Sequence, residues 1–211
     1  MCKIKPLLRG GRLNKNHLLI LTYEMDNSSQ VFSHQIGVVN ELSKYFDKVT
    51  VITGKAGEFE LSKNVEVFSS HWKPGKRVYS SVSFVILFLR LMNQKRFNLV
   101  FSHMTSVQSA IISPITRIFR IKHFLWYTHT SDNLALRIAH RLTDGILTAT
   151  EGSCPIKSSK VKVVGHSIDA SLFQTNYKIR YPIINFIHIG RFDSSKNIDL
   201  ILEVLSNLKK Y

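Results

Sequence analysis

The sequence predicts an α/β protein built on a doubly wound, mostly parallel sheet. Two observations predict it. Short apolar runs alternate with longer amphipathic stretches along most of the 211 residues. The runs are also near-continuously apolar, as expected for strands covered on both faces. Strand, helix, strand in repetition implies right-handed crossovers with helices on both sides of the sheet.

The elements follow in order. His17–Tyr23 reads as the first strand, and Gln30–Phe46 as a helix with Val31, Ile36, Val39, Leu42 and Phe46 near helical spacing. Lys48–Thr53 is a second strand stopped by Gly54, and Val65–Phe68 a short third. Tyr79–Gln94 is a helix apolar on most sides. Asn98–Phe101 is a strand, and Val107–Arg120 a helix with a kink expected at Pro114. Phe124–Tyr127, Gly145–Ala149 and Val161–Val164 are strands, with a helix over Asn133–Leu142.

The rhythm breaks at Asp169–Pro182, a polar stretch that reads as a linker. A new strand over Ile183–Ile189 leads through a loop at Gly190–Asn197 into a helix over Ile198–Lys210. Three parts follow: residues 1–175 as the first domain, 176–182 as linker, and 183–211 as the start of a second.

Composition narrows the class. A hydrophobic share of 44% supplies a core and argues against disorder. The chain carries 29 Lys+Arg against 14 Asp+Glu, a net charge of +15, which favours anionic partners. No acid occurs between Glu66 and Asp132, a stretch holding Lys73, Lys76, Arg77, Arg90, Lys95, Arg96, Arg117, Arg120 and Lys122. A solubilising surface and a functional basic face fit this equally well. Basic flanks around an aromatic helix over 71–97 suit an anionic membrane surface, although its apolar face also fits a core helix. No nucleic-acid recognition motif is present. Cys2 and Cys154 stand in no metal or redox spacing, which points to a reducing compartment. The apolar run Phe84–Leu89 is far short of the ~20 residues a spanning helix needs. A soluble or membrane-surface protein is expected.

In a doubly wound sheet, ligands lie beyond the carboxyl ends of the strands. Gly190, Arg191 and Lys196 follow an apolar strand and precede a helix. A glycine lets the backbone turn closely. An Arg fork and a Lys point charge beside a helix start can clamp a diphosphate. The same spacing fits an ordinary strand-to-helix turn with two solvated cations.

The stretch HIGRFDSSKNIDLILEVLSNLKK resembles the donor-domain opening of retaining GT-B glycosyltransferases of family 4. Trp126–Phe173 resembles that family's preceding run, ending in Gly165-His-Ser-Ile-Asp169 and Phe173. The two stretches stand in the family's order. Asn197 and Ser167 occupy positions where the family commonly has Gly. The resemblance implies two Rossmann-like domains around a cleft, with 183–211 as the first strand and helix of the donor-binding one. It implies hexose transfer from a nucleotide-sugar to a glycan or lipid-linked acceptor, with retention and without a metal or other cofactor. It implies that Arg191 and Lys196 hold the donor diphosphate and that His129, just after a strand, orients the donor sugar. His103 matches a second histidine at a strand end. Asn27, Ser28 and Ser29 lie where relatives carry a Gly-rich loop at acceptor and phosphates, and Ser28 or Ser29 also reads as the N-cap of the next helix. The family's Glu-x7-Glu region would lie beyond Tyr211, so the resemblance implies a piece of a longer enzyme, inactive alone. A cytoplasmic location, with peripheral attachment at the inner face of the plasma membrane, follows from the same family. A sugar-nucleotide epimerase of the same architecture and a non-catalytic, membrane-associated subunit are the alternatives.

Overall fold

The computed structural model describes residues 16–73, 75–166, 187–190, 192 and 194–208. The chain separates into two compact units, Met1–Ser167 and Ile168–Tyr211.

The first unit is a seven-stranded, wholly parallel sheet of order β3-β2-β1-β4-β5-β6-β7. The strands are β1 (His17–Met25), β2 (Lys48–Ala56), β3 (Val65–Ser69), β4 (Leu99–His103), β5 (Lys122–Trp126), β6 (Gly145–Thr148) and β7 (Val161–Val163). The helices are α1 (His34–Ser43), α2 (Arg77–Gln94), α3 (Ser106–Ile118) and α4 (Leu134–Leu142). The chain winds outward from β1 to β3, returns beside β1 as β4, and winds out the other way to β7. The doubly wound α/β fold is therefore present, and its direction reverses between β1 and β4.

Right-handed crossovers in opposite directions put helices on opposite faces. Period-2 alternation decides which residues meet them. Leu18, Ile20, Val49 and Val51 face α1, where Ile36 and Val39 complete one core. Leu19, Leu21, Ile52 and Val100 face the other way, against Phe84, Phe88 and Leu91 of α2 and Ile112 of α3. Farther out, Leu125 and Ile146 pack with Leu136 and Ala139 of α4.

Pro114 does not break α3. The carbonyl of Ala110, which would have accepted a bond from residue 114, accepts one from the Ser113 hydroxyl instead (3.1 Å). Beneath the same helix the buried His123 ring is held by three hydroxyls. Ser102 and Ser109 lie 2.7 and 3.1 Å from its Nε2, and Thr116 lies 3.2 Å from its Nδ1. Burial pushes this imidazole down to about 4, against a smaller opposing pull from Asp144.

Two boundaries differ from expectation. The first helix begins at His34 rather than Gln30, because Ser29 closes a separate turn: its Oγ accepts from the Phe32 amide (3.1 Å). The helix ends at Ser43, and Phe46 packs against the core from outside it. In the second unit, 187–189 of the expected strand are irregular, and Ile187 and Ile189 are exposed. A strand needs a paired neighbour, and none of the unit's described residues supplies one. The rest of that expected strand, 183–186, and the linker lie outside the described residues. A short 3-10 turn, Ser194–Lys196, then leads into α5 (Ile198–Leu208), none of whose residues is buried.

Candidate active site

The winding direction reverses between β1 and β4, and in doubly wound sheets the carboxyl edge at such a reversal is where ligands sit. Polar groups converge there from three strands.

β4 ends in His103, which is buried. Its Nδ1 lies 2.6 Å from Nε2 of Gln35, in the first turn of α1. An amide nitrogen only donates, so Nδ1 accepts and the ring carries its proton on Nε2. The ring stacks on Trp126 at the end of β5, with centroids 6.1 Å apart and planes 6° from parallel. Trp126 meets His166 edge-on at 6.1 Å, and His34 stands 6.0 Å from His103. Burial lowers the His103 imidazole to about 4, and the nearby His34 and His166 push the same way. The outcome is a neutral, fixed imidazole that can offer one N–H to a sugar hydroxyl or a developing oxyanion.

The next residue, Met104, sits in the left-handed region at φ 60°. Its amide donates to the Trp126 carbonyl (2.9 Å), and its sulfur accepts from the amide and hydroxyl of Thr128 (3.4 and 3.3 Å). Strain of ~1–2 kcal/mol in a non-glycine residue persists only where the surroundings impose it. Here those contacts tie the loop after β4 to the loop after β5. Met104→Gly is expected to hold stability within ~1 kcal/mol, whereas β-branched Met104→Val costs ~2 kcal/mol or more. Urea denaturation of the two variants checks this.

Buried polar atoms without a protein partner concentrate at the same edge. Among the described residues they are the side-chain oxygens of Thr22, Gln35, Thr105, Gln108 and Thr148, with Nε2 of His140 elsewhere. Thr22 and Thr148 belong to carboxyl halves of strands; the other three stand at helix starts. Such groups ask for water or a ligand.

The predicted residues fall out as follows. In the loop after β1, Asn27 is exposed, and the Ser28 amide and hydroxyl both donate to Asp26 (2.9 and 2.7 Å). Ser29 donates to Glu24 (3.0 Å), whose other oxygen accepts from Lys55 (2.7 Å). These serines shape the loop through their own side chains. Ser29 caps the turn before α1 and not α1 itself, whose N-cap is Ser33. His129 is exposed, and its Nδ1 accepts from the Ser131 amide (3.0 Å), which leaves Nε2 as the outer nitrogen. Gly190 and Lys196 are exposed in the second unit; Arg191 lies outside the described residues, as do Ser167, Asp169 and Phe173. Asn197 has φ 48°, a region that asparagine enters more readily than most non-glycine residues. No group of three metal-ligating side chains occurs among the described residues.

Sequence reading missed Gln35, His34, Trp126 and Met104. Gln35 is one polar residue among several in its helix, and nothing local announces that a ring 68 residues away will take its amide.

No protein-family model matches the chain, and no curated protein sequence does. Solved structures do. The apo lipopolysaccharide outer core galactosyltransferase WaaB matches with TM-score 0.52 and 9% identity, over 72% of this chain and 46% of that one. HepE of Anabaena, in complex with UDP, matches with TM-score 0.51 and 14% identity, over 76% and 46%. A UDP-N-acetylglucosamine 2-epimerase matches with TM-score 0.54 and 10% identity, over 78% and 53%. The chain thus spans about half the length of the structures it matches. The fold is the Rossmann-like one of GT-B glycosyltransferases, shared with an epimerase.

Proposed function

We propose that the chain is the acceptor-side part of a GT-B glycosyltransferase resembling family 4, with the opening of its donor-side domain. The observation that carries this reading is the convergence of His103, Gln35, strained Met104 and the orphaned oxygens on the reversal between β1 and β4. A sugar presents many hydroxyls, and a site with spare buried donors and acceptors matches that chemistry.

In this reading a hexose is transferred from a nucleotide-sugar, with UDP as the first nucleotide to try, to a glycan or lipid-linked acceptor. The anomeric C–O bond to the diphosphate breaks. A new C–O bond forms to the acceptor hydroxyl on the same face, and the hydroxyl proton leaves with the diphosphate. Arg191 and Lys196 counter the charge that grows on the leaving group, with Gly190 letting the backbone approach. His129 orients the donor sugar, His103 faces the bound substrate, and the Asn27–Ser29 loop lies at acceptor and phosphates. No metal or cofactor is required. The setting is cell-surface glycan or glycolipid synthesis on the cytoplasmic side.

Calorimetric titration with UDP-hexoses tests the reading. Binding with Kd of roughly 1 mM or tighter is expected. R191A/K196A should weaken it ~100-fold or more, since each of the two charge-assisted bonds is worth ~1.5–3 kcal/mol. Absence of binding to any nucleotide-sugar, or binding indifferent to both cations, would overturn it.

The epimerase match at TM-score 0.54 keeps a second reading in view. Inversion of the sugar in a free nucleotide-sugar, with no acceptor added, would select it.

A further inference from the structure

We propose that a cavity at the amino-terminal edge of the sheet is a second binding site, for a sugar unit that carries an acid group. The cavity has a volume of about 130 Å³ and lies among the starts of β1, β2 and β3. At roughly 10–15 Å³ per enclosed water it holds about ten waters, a space on the scale of one sugar ring. β1 runs nine residues, so roughly 25 Å of strand separate this cavity from the carboxyl edge.

Strand register builds the walls. His17 stands beside Lys48, and Thr50 beside Glu66. At the back, the buried His17 ring is fixed by Thr50, whose hydroxyl lies 2.9 Å from Nε2. Burial, then Lys95 and Lys48, hold this imidazole below its ordinary 6.5, so the wall carries no charge at neutral pH. Three further residues are each anchored through one atom. Asp47 accepts from the Asn16 amide through Oδ2 (2.8 Å). Asn64 donates through Nδ2 to the carbonyls of Ser43 and Phe46 (2.9 Å each). Glu66 pairs through Oε2 with Lys95. Their other oxygens, Oδ1 of Asp47, Oδ1 of Asn64 and Oε1 of Glu66, have no partner among the described residues. Lys48 and Lys63 are exposed beside them, with no carboxylate at ion-pair distance among the described residues.

These groups define the ligand. Carboxylate and carbonyl oxygens only accept, so they ask for hydroxyl donors, whereas ammonium groups ask for an anion. A neutral sugar leaves both lysines unanswered. A small oxyanion meets the lysines but is set against two carboxylates with few hydrogens to offer them. A sugar ring bearing a carboxylate or a phosphate supplies both kinds of group. The cavity shares no residue with the carboxyl-edge site, so this proposal does not rest on the nucleotide-sugar reading.

The test is a titration of the nitrogen-15-labelled 211-residue chain, in separate arms, with glucuronate, glucose 6-phosphate, glucose and inorganic phosphate. At least one of the two sugar acids is expected to move the amides of Val49, Thr50 and Asn64 with Kd of roughly 1–10 mM. Which of them binds tighter names the acid group. Glucose and inorganic phosphate should each bind roughly ten-fold more weakly, because each answers half of the site. K48Q/K63Q should weaken the sugar acid roughly ten-fold or more, with an unchanged circular dichroism spectrum because both side chains are exposed. Inorganic phosphate binding as tightly as either sugar acid would reduce the site to bare charge attraction and overturn the proposal. So would affinity unchanged in K48Q/K63Q, or amides of Val49 and Thr50 that none of the four ligands moves. The nucleotide-sugar reading is reported by Met104 and Thr128 at the other edge, so the two proposals fail separately.

Discussion

Acidification from pH 6.5 toward 4 is expected to remove most of the stability of the first unit. His103 and His123 are buried and neutral, each held down to about 4 chiefly by burial, while an unfolded chain returns them to their ordinary 6.5. Between those values the unfolded state binds a proton that the folded state refuses. Stability therefore rises with pH across this window and is lost as pH falls through it. A gap of that size corresponds to about 3 kcal/mol per ring. Two rings together approach the whole stability of a typical domain, ~5–15 kcal/mol. The carboxyls of Glu66 and Asp132, held below their ordinary 4.5 and 3.8 by Lys95 and Arg137, add their loss from the foot of the histidine window downward. Urea unfolding at half-unit steps should give a slope approaching two protons near pH 5. A flat profile between pH 6.5 and 4.5 would mean that neither ring is buried neutral.

The two faces of α2 should respond oppositely to truncation. Phe88 is fully buried among Leu19, Leu21 and Phe84, and Phe88→Ala is expected to cost ~3–5 kcal/mol through lost transfer energy and the cavity left behind. Ile86, two residues away, is 62% exposed. Ile86→Ser should change stability by no more than ~0.5 kcal/mol. Denaturant midpoints of the two variants check both statements. Equal losses would mean that the outer strip is packed.

The strands were the most legible part of the fold, for a physical reason. A strand buried on both faces needs an apolar residue at every position, and runs such as Leu18–Leu21 satisfy that with no help from context. Helix ends were less legible. Phe46 keeps helical spacing with Leu42, so periodicity extends the first helix to it, but contact with the core does not require helical backbone. The amphipathic reading of α2 likewise saw apolar residues on most sides without deciding which side is wet. Only packing against Leu19 and Leu21 assigns Phe84 and Phe88 inward and leaves Ile86 outside.

For the site, position was readable and partnership was not. His103 could be placed at a strand end from sequence, where the topology makes it matter. That Gln35 fixes its tautomer, that Trp126 stacks on it, and that Met104 is strained all depend on which strands become neighbours. β1 and β4 are separated by more than seventy residues yet lie side by side. Gly190, Arg191 and Lys196 could be singled out as candidates for the opposite reason, since they are local in sequence.

Nitrogen-correlated NMR during a UDP-hexose titration tests the central claim most directly, because it reports where on the fold the ligand acts. The account predicts shifts at the carboxyl edge, in the amides of Met104, Thr105 and Thr128, the Gln35 side chain and the His103 ring, with Nε2 of His103 protonated at neutral pH. Saturable shifts confined to the amino-terminal edge of the strands, with His103 and Met104 unmoved, would contradict it.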